Sequence, residues 1–338
     1  MSACHECLTL PACCPDRIKK GRGMINIFYR LGGKVDYFQS ETEFAKLERK
    51  DVIWIDLLDP TGEEKRATEK FLGTEIQSRA QAEEIESSSR FYETDAAIFA
   101  NTNYLTPTDD EYCSDPVSFI IVDNTLATLR EVPLRSITSL QMKLCAKPAL
   151  FPDGWTIFVS MLDQRVDLDA DIVEILGKDT ARFSRRINQQ EDINEDFLLD
   201  INQLQENTMV VRENVVDKQR LISNLLKSDR YPAVLEPRLN VLLQDIASLI
   251  NHANFNFERL EYLQDTAVGL INLDQNRIMK IFTLVSLLLM PATLVASFYG
   301  MNVKLPLEGW NLAWLGIIGI MCLLVLALFI AFKRRKLL

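Results

Sequence analysis

Two stretches of the chain carry no charge: twenty residues from Ile281 to Gly300 and twenty-one from Leu312 to Phe332. A helix needs ~20 apolar residues to cross a hydrocarbon layer of ~30 Å, so each is predicted to span a membrane. Met301 to Asn311 is too short for anything but a crossing loop. Upstream the period changes. Met24–Arg30 and Lys34–Phe38 read as strands around Gly32-Gly33, and Val52–Leu58 is an apolar run of strand length. Asp59-Pro60-Thr61, with Glu63 and Glu64 following, reads as a helix start with acids at the positive end of its dipole. Further strands are predicted at Arg90–Glu93, Ala96–Leu105, Val117–Val122 and Thr125–Arg130, the last two joined by the hairpin pair Asp123-Asn124. From Ser136 the strand signals stop, and long helices are predicted over Thr156–Asn188 and Asn194–Lys227. Pro232 and Pro237 punctuate the start of a third. No proline interrupts Arg238 to Met290, which predicts one rod of roughly 60 residues, ~90 Å at 1.5 Å per residue, running into the first span.

The chain so divides into a disordered extension over 1–23, an α/β domain over 24–135 and a helical region with the stalk helix over 136–280. A pore-lining first span over 281–300, a loop over 301–311, a second span over 312–332 and a basic end over 333–338 complete it. Arg277 and Lys280 precede the first span and Lys333, Arg334, Arg335 and Lys336 close the second, so the basic flanks lie on one side of the bilayer. The positive-inside rule makes that side cytoplasmic, with both termini and the soluble body facing it and Lys333 to Lys336 forming a basic ring.

Charge sharpens the picture. Five basic residues against one acid after Lys280 leave +4 there and, from a whole-chain charge of −10, −14 on the first 280 residues. An acidic body does not fit a nucleic-acid partner, which needs clustered Lys and Arg, and does fit cations. Four of the seven cysteines, Cys4, Cys7, Cys13 and Cys14, crowd the extension. Cys4-His5-Glu6-Cys7 has no second C-x-x-C at zinc-ribbon spacing, so a loose extension is the reading there, and no apolar run of signal-peptide length lies between Met1 and Met24. Cys113 and Cys145 are far apart, and no disulfide framework is indicated. An enzyme is not expected either: His5 and His252 are the only histidines, and neither G-x-S-x-G nor a P-loop occurs.

One face of the rod, followed in alternating steps of four and three, reads Asp265, Gly269, Asn272, Asn276, Met279, Thr283, Ser286, Met290, Thr293, Ser297. These positions recur every 3.5 residues and share a stripe that an ordinary coiled coil would fill with Leu and Ile. Hydroxyl-bearing residues in a membrane helix also serve close helix packing. Here Asp265, Asn272 and Asn276 carry the polar face on outside the bilayer, which reads as a wall. One such helix encloses nothing and two spans are too few for internal repeats, so several copies must surround an axis.

At the outer end of the first span stands Tyr299-Gly300-Met301-Asn302, followed by the short loop, a second span and a basic terminus. This resembles the CorA family of magnesium channels. Asn276-Arg277-Ile278-Met279-Lys280-Ile281-Phe282 and Pro291-Ala292-Thr293-Leu294-Val295-Ala296-Ser297 look like its first span, and Trp54-Ile55-Asp56-Leu57 and Glu83-Glu84-Ile85-Glu86-Ser87-Ser88-Ser89-Arg90-Phe91 like its soluble domain. The resemblance covers residue 24 to the end. It implies a homopentamer in the inner membrane: a cytosolic α/β/α funnel, stalk helices lining an axial pore, and second spans as an outer ring. It also implies magnesium as cargo and as regulatory ion, cobalt and nickel as further cargo, and no organic cofactor.

Magnesium holds six oxygens tightly and sheds water reluctantly, so a fast pore should pass it largely hydrated. Asn302 amides and Gly300 carbonyls would accept hydrogen bonds from the ion's waters at the mouth, beside Met301 and Tyr299, and still release it. Met290 and Met279 would be apolar constrictions, Thr293 and Ser297 wetted wall, and Asp265 a cytosolic acidic ring. Glu83 and Glu84 match the family's regulatory acidic pair. The matching stalk stretch, Asn240-Val241-Leu242, holds no acid, and Asp245 is the nearest candidate. The outer loop departs from the family in placing Lys304 where an acid is often seen, with Glu308 retained. A zinc-transporting relative on the same scaffold and a non-transporting membrane scaffold are the alternatives.

Overall fold

Val52–Leu58 is buried on both faces, and a sheet is built around it. The structure is a computed structural model that describes residues 23–76, 90–108, 111–191, 193–301 and 313–334. Seven strands form one sheet in the order β2-β1-β3-β7-β6-β5-β4. They are β1 (Met24–Leu31), β2 (Lys34–Phe38), β3 (Val52–Leu58), β4 (Phe91–Glu93), β5 (Ile98–Pro107), β6 (Tyr112–Val122) and β7 (Thr125–Arg130). The β1–β2 hairpin turns at Gly32 and Gly33, whose φ angles of 59° and 83° are cheap only for glycine. β3 and β7 pair in parallel and the other neighbours antiparallel. The interior position of β3 explains its apolar run, interrupted only at Asp56, since neither face meets water.

Alternation along the strands sends side chains into two layers. One layer holds Ile25, Ile27, Ile55, Leu57 and Ala127 with Leu72 of α1 (Gly62–Leu72). Thr61 begins α1 with a capping box: its hydroxyl accepts from Glu64 N while the Glu64 carboxylate accepts from Thr61 N, and Gly73 ends it in the left-handed region. On the other face Phe28 stacks on Trp54 with ring centroids 4.9 Å apart, and Phe119 meets Phe158 of α3 (Gly154–Gln189) edge-on at 5.1 Å. Asp56 is fully buried there. Its carboxylate takes Arg130 Nη2 at 2.8 Å and Nε at 3.1 Å, Thr128 Oγ1 at 2.8 Å and, from α2 (Arg135–Ala146), Gln141 Nε2 at 2.7 Å. Trp54 Nε1 donates to the same Thr128 hydroxyl at 3.0 Å. Helices on both faces of a mixed sheet make the soluble part an α/β/α layer structure.

β4 is three residues long, so on the side away from β6 the strand β5 has no neighbour past Asn101, whose N–H donates to Arg90 O at 2.8 Å. Alternation turns the carbonyls of Asn103 and Leu105 to the same open side. Side chains close it. Lys218 Nζ and Asn214 Nδ2 of α4 (Glu195–Leu225) donate to Asn103 O at 3.1 and 3.2 Å, and Arg165 Nη1 of α3 to Leu105 O at 3.0 Å. Arg165 also pairs with Asp169 one turn on and lies 5.3 Å from the Tyr104 ring centre. Burial raises the Tyr104 hydroxyl pKa far above its usual value.

α5 runs without interruption from Glu236 to Tyr299, 64 residues, and contains Pro291. α6 covers Ala313–Arg334. The chain divides after Gln264 into two units, with α5 continuous through the division. In the first, Leu239, Leu242, Ile246, Ala253, Leu260 and Leu263 form the buried face of α5. Arg238 at its start is tied to α3 by Asp163 Oδ2 at 2.7 Å and Ser160 Oγ at 3.2 Å. Among the described residues two helices, α5 and α6, are long and apolar enough to cross a membrane.

Candidate functional site

All ten positions of the stripe from Asp265 to Ser297 are exposed in the single chain. Asp265, Gly269, Asn272 and Asn276 precede the apolar segment, and Met279 and Met290 project with 59% and 63% of their surface free. Thr283 Oγ1 donates to Met279 O at 2.8 Å and Thr293 Oγ1 to Leu289 O at 3.0 Å. Each hydroxyl proton is thereby spent on the helix's own backbone, one turn back, and the oxygen presented outward is an acceptor. An acceptor-rich, apolar-flanked face suits a cation with its waters better than an anion.

The span ends where the helix ends. Gly300 N donates to Ala296 O at 3.0 Å and Met301 N to Phe298 O at 3.4 Å. A Cβ on Gly300 would stand 3.2 Å from Ala296 O and 3.5 Å from Ser297 O, so a larger residue crowds the last turn. Tyr299 lies edge-on to Phe298 with centroids 5.6 Å apart. Asn302 and Lys304 lie outside the described residues, as do the extension, Glu83 and Glu84, Arg335 and Lys336. Lys333 and Arg334 close α6 in its last turn.

Asp245 is exposed on α5 and faces acids across α3. Partial burial, then Asp163, Asp171 and Asp245, raise the Asp167 carboxyl pKa. Among the described residues no three His, Cys, Asp or Glu side chains converge as a metal site within one chain. A shared site between chains would have to draw one wall from elsewhere.

Counting back from Asp265 in the same steps gives Tyr262, Glu258, Phe255, Asn251, Ser248, Gln244 and Val241, and these seven are exposed too. In a sequence, where burial is not visible, Phe255 and Tyr262 are indistinguishable from core residues. The unbroken 3.5-residue spacing is the signal that extends the stripe to them.

Comparison with known proteins agrees with this architecture. The sequence model described as CorA-like Mg2+ transporter protein matches residues 49–334. The chain is 31% identical over 297 residues to the magnesium transport protein CorA of Campylobacter jejuni (strain RM1221), covering 84% of this chain and 91% of the relative. It is 31% identical to that of Wolinella succinogenes over 93% of this chain and 99% of the relative, and 31% identical to that of Salmonella typhimurium over 85% and 92%. Among solved structures, the complete CorA magnesium transporter from Methanocaldococcus jannaschii superposes with a TM-score of 0.74 at 18% identity, over 92% of this chain and 97% of that one. The full-length CmaX protein does so at 0.70 and 14% identity, over 91% and 98%. At such identities the structures speak for the fold, and the sequence relatives speak for descent: the chain belongs to the CorA-like Mg2+ transporter family.

Proposed function

We propose that this protein is a magnesium channel of the inner membrane, assembled as a homopentamer with the stripe of α5 facing the axis and both termini in the cytoplasm. The observation that carries the reading is the stripe itself. Seventeen positions at 3.5-residue spacing, Val241 to Ser297, are exposed along one continuous helix, and those of the apolar span are Thr, Ser and Met in place of Leu and Ile. Relatives named for magnesium transport over most of their length support the cargo.

In the mechanism, Asn302 amides and Gly300 carbonyls at the outer mouth hydrogen-bond the water shell of the arriving ion, with Met301 and Tyr299 shaping that turn. Charge density and hydrated size then decide which ion passes. The Met290 and Met279 rings are dry constrictions that open when neighbouring helices part. Between them the outward oxygens of Thr283 and Ser286 accept from the ion's waters, and Thr293 and Ser297 do so nearer the mouth. Asn276, Asn272 and Asp265 receive the ion on the cytosolic side. Glu83 and Glu84 against Asp245 of a neighbour would hold regulatory magnesium that stabilises the closed assembly. Lys333, Arg334, Arg335 and Lys336 form a basic ring at the cytoplasmic headgroups. Cobalt and nickel, which share magnesium's octahedral preference and similar size, are further cargo.

Uptake of magnesium into liposomes holding the purified chain tests the reading, with cobalt, nickel and zinc as competitors. Saturable magnesium flux, inhibited by cobalt and nickel, supports it. Zinc flux without magnesium flux favours the zinc-transporting alternative, and no flux of any of these ions leaves only a scaffold.

A further inference from the structure

Phe255 and Tyr262 stand with 60% and 69% of their surface free, on the face of α5 opposite Leu239, Leu242, Ile246, Ala253, Leu260 and Leu263, which are buried. Both rings lie outside the core of the single chain. They lie fourteen and seven residues before Gly269, two heptads and one, so the helical repeat gives them the phase of Asn276, Thr283, Met290 and Ser297. Glu258 falls between them and Asp265 follows, both exposed. The order from the cytosolic side is therefore ring, carboxylate, ring, carboxylate.

We propose that Phe255 and Tyr262 line the cytosolic section of the ion pathway as two aromatic constrictions for hydrated divalent cations, with the acidic positions Glu258 on the membrane side of the first and Asp265 on the membrane side of the second. This rests on the axial assembly proposed above and adds to it a barrier on the cytosolic side of the methionines.

Geometry supports it. Five helices packed 8–10 Å apart around an axis stand roughly 7–8.5 Å from the centre. With each Cα about 2.3 Å from its own helix axis, roughly 5–6 Å of radius is left for the side chain. Gly269 fills almost none of that and a tyrosine fills nearly all of it, so the lumen alternates between open and narrow along the stripe. The two rings differ in chemistry. Phe255 offers only apolar surface, which repels water from a narrow bore. Tyr262 has an apolar body and a hydroxyl tip that can exchange hydrogen bonds with the waters of an ion, and its ring face attracts cations.

Cysteine accessibility tests the inference in the full-length chain with its seven cysteines replaced by serine. Phe255→Cys, Tyr262→Cys, Thr283→Cys and Val268→Cys are reconstituted and treated from the cytosolic side with a cationic methanethiosulfonate. Modification is followed by mass and transport by magnesium flux. The expected result is a several-fold loss of flux on modification at positions 255, 262 and 283, with flux at position 268, off the stripe, unchanged. Complete modification at 255 and 262 without loss of flux, while 283 blocks, overturns this inference and leaves the axial pathway standing. Modification without block at 283 as well overturns both. Should a cysteine in place of either ring prevent assembly, Glu258→Cys lies on the same stripe and carries the same expectation.

Discussion

Lys218 Nζ lies 3.1 Å from Asp169 Oδ2 at the junction of α3, α4 and β5, with both side chains 1% exposed. Arg165 pairs with the other oxygen of the same carboxylate. Two buried cations thus share one anion, and burial lowers the Lys218 pKa from lysine's usual 10.5 to about 8, against the opposing pull of Asp169.

That shift has a signed consequence for stability. The unfolded chain keeps the lysine proton up to about 10.5 and the folded chain releases it at about 8, so the unfolded state binds more protons between those values. Burying the charged form costs the fold in full below pH 8, and stability should rise as pH climbs from 8 towards 10.5, by about 3 kcal/mol in total. Urea unfolding of the detergent-solubilised chain between pH 7.5 and 9.5 should show this slope, and Lys218→Met should remove it.

Asp56→Ala should be among the most damaging changes in the soluble part. It leaves Arg130 charged, 3% exposed and without its carboxylate, a loss of about 3–5 kcal/mol. In a domain of this size the melting temperature should fall by roughly 10 °C, read by circular dichroism. A shift of a degree or two would mean that water reaches Arg130.

Asn302→Ala should abolish magnesium uptake while the oligomer still elutes at its wild-type volume. In the proposed pore the amide contacts the ion's water shell. Near wild-type flux would remove it from the filter.

Replacing Glu83 and Glu84 together by Ala should leave transport less inhibited by millimolar cytosolic magnesium. In the proposed assembly these carboxylates meet at subunit boundaries and repel, and a divalent ion between them favours the closed state. Unchanged inhibition would assign regulation to other acids.

Lys304→Glu should increase uptake at low external magnesium, most of all at low ionic strength. In a fivefold assembly it exchanges five positive charges for five negative ones beside the mouth, in a field that salt screens over ~8–10 Å. Equal uptake by both forms across a range of salt would place Lys304 among the lipid headgroups.

The elements most legible in the sequence are those in which one local period dominates. β3 announced itself as an apolar run, and the spans by length without charge. The start of β6 was missed because Ser114-Asp115-Pro116 reads as a break. Pro116 is tolerated because it lies opposite Asn103, whose backbone groups point away from β6, and beyond Val117–Arg130, the last β6–β7 pair. α2 was missed although Ile137, Leu140 and Leu144 recur at helical spacing: it is short, and Leu134 at its N-cap offers no side-chain cap. The pairings of Asp56 with Arg130 and of Asp169 with Lys218 were invisible, since such contacts between distant elements leave no local trace. Along α5 the stripe was legible from Asp265 onward, and burial was needed to separate Phe255 and Tyr262 from core.

The open side of β5 also sets a timetable for synthesis. Its carbonyl at Asn103 is closed by Asn214 and Lys218, which follow 111 and 115 residues later. A ribosome makes the strand long before it makes the cover, at a rate of about 5–20 residues per second. For several seconds each nascent chain presents an unpaired strand edge, and chains translated side by side on one message present the same edge to each other. Translational pausing between β5 and α4 should therefore raise misassembly more than pausing after α4, even though the finished protein is identical in both cases.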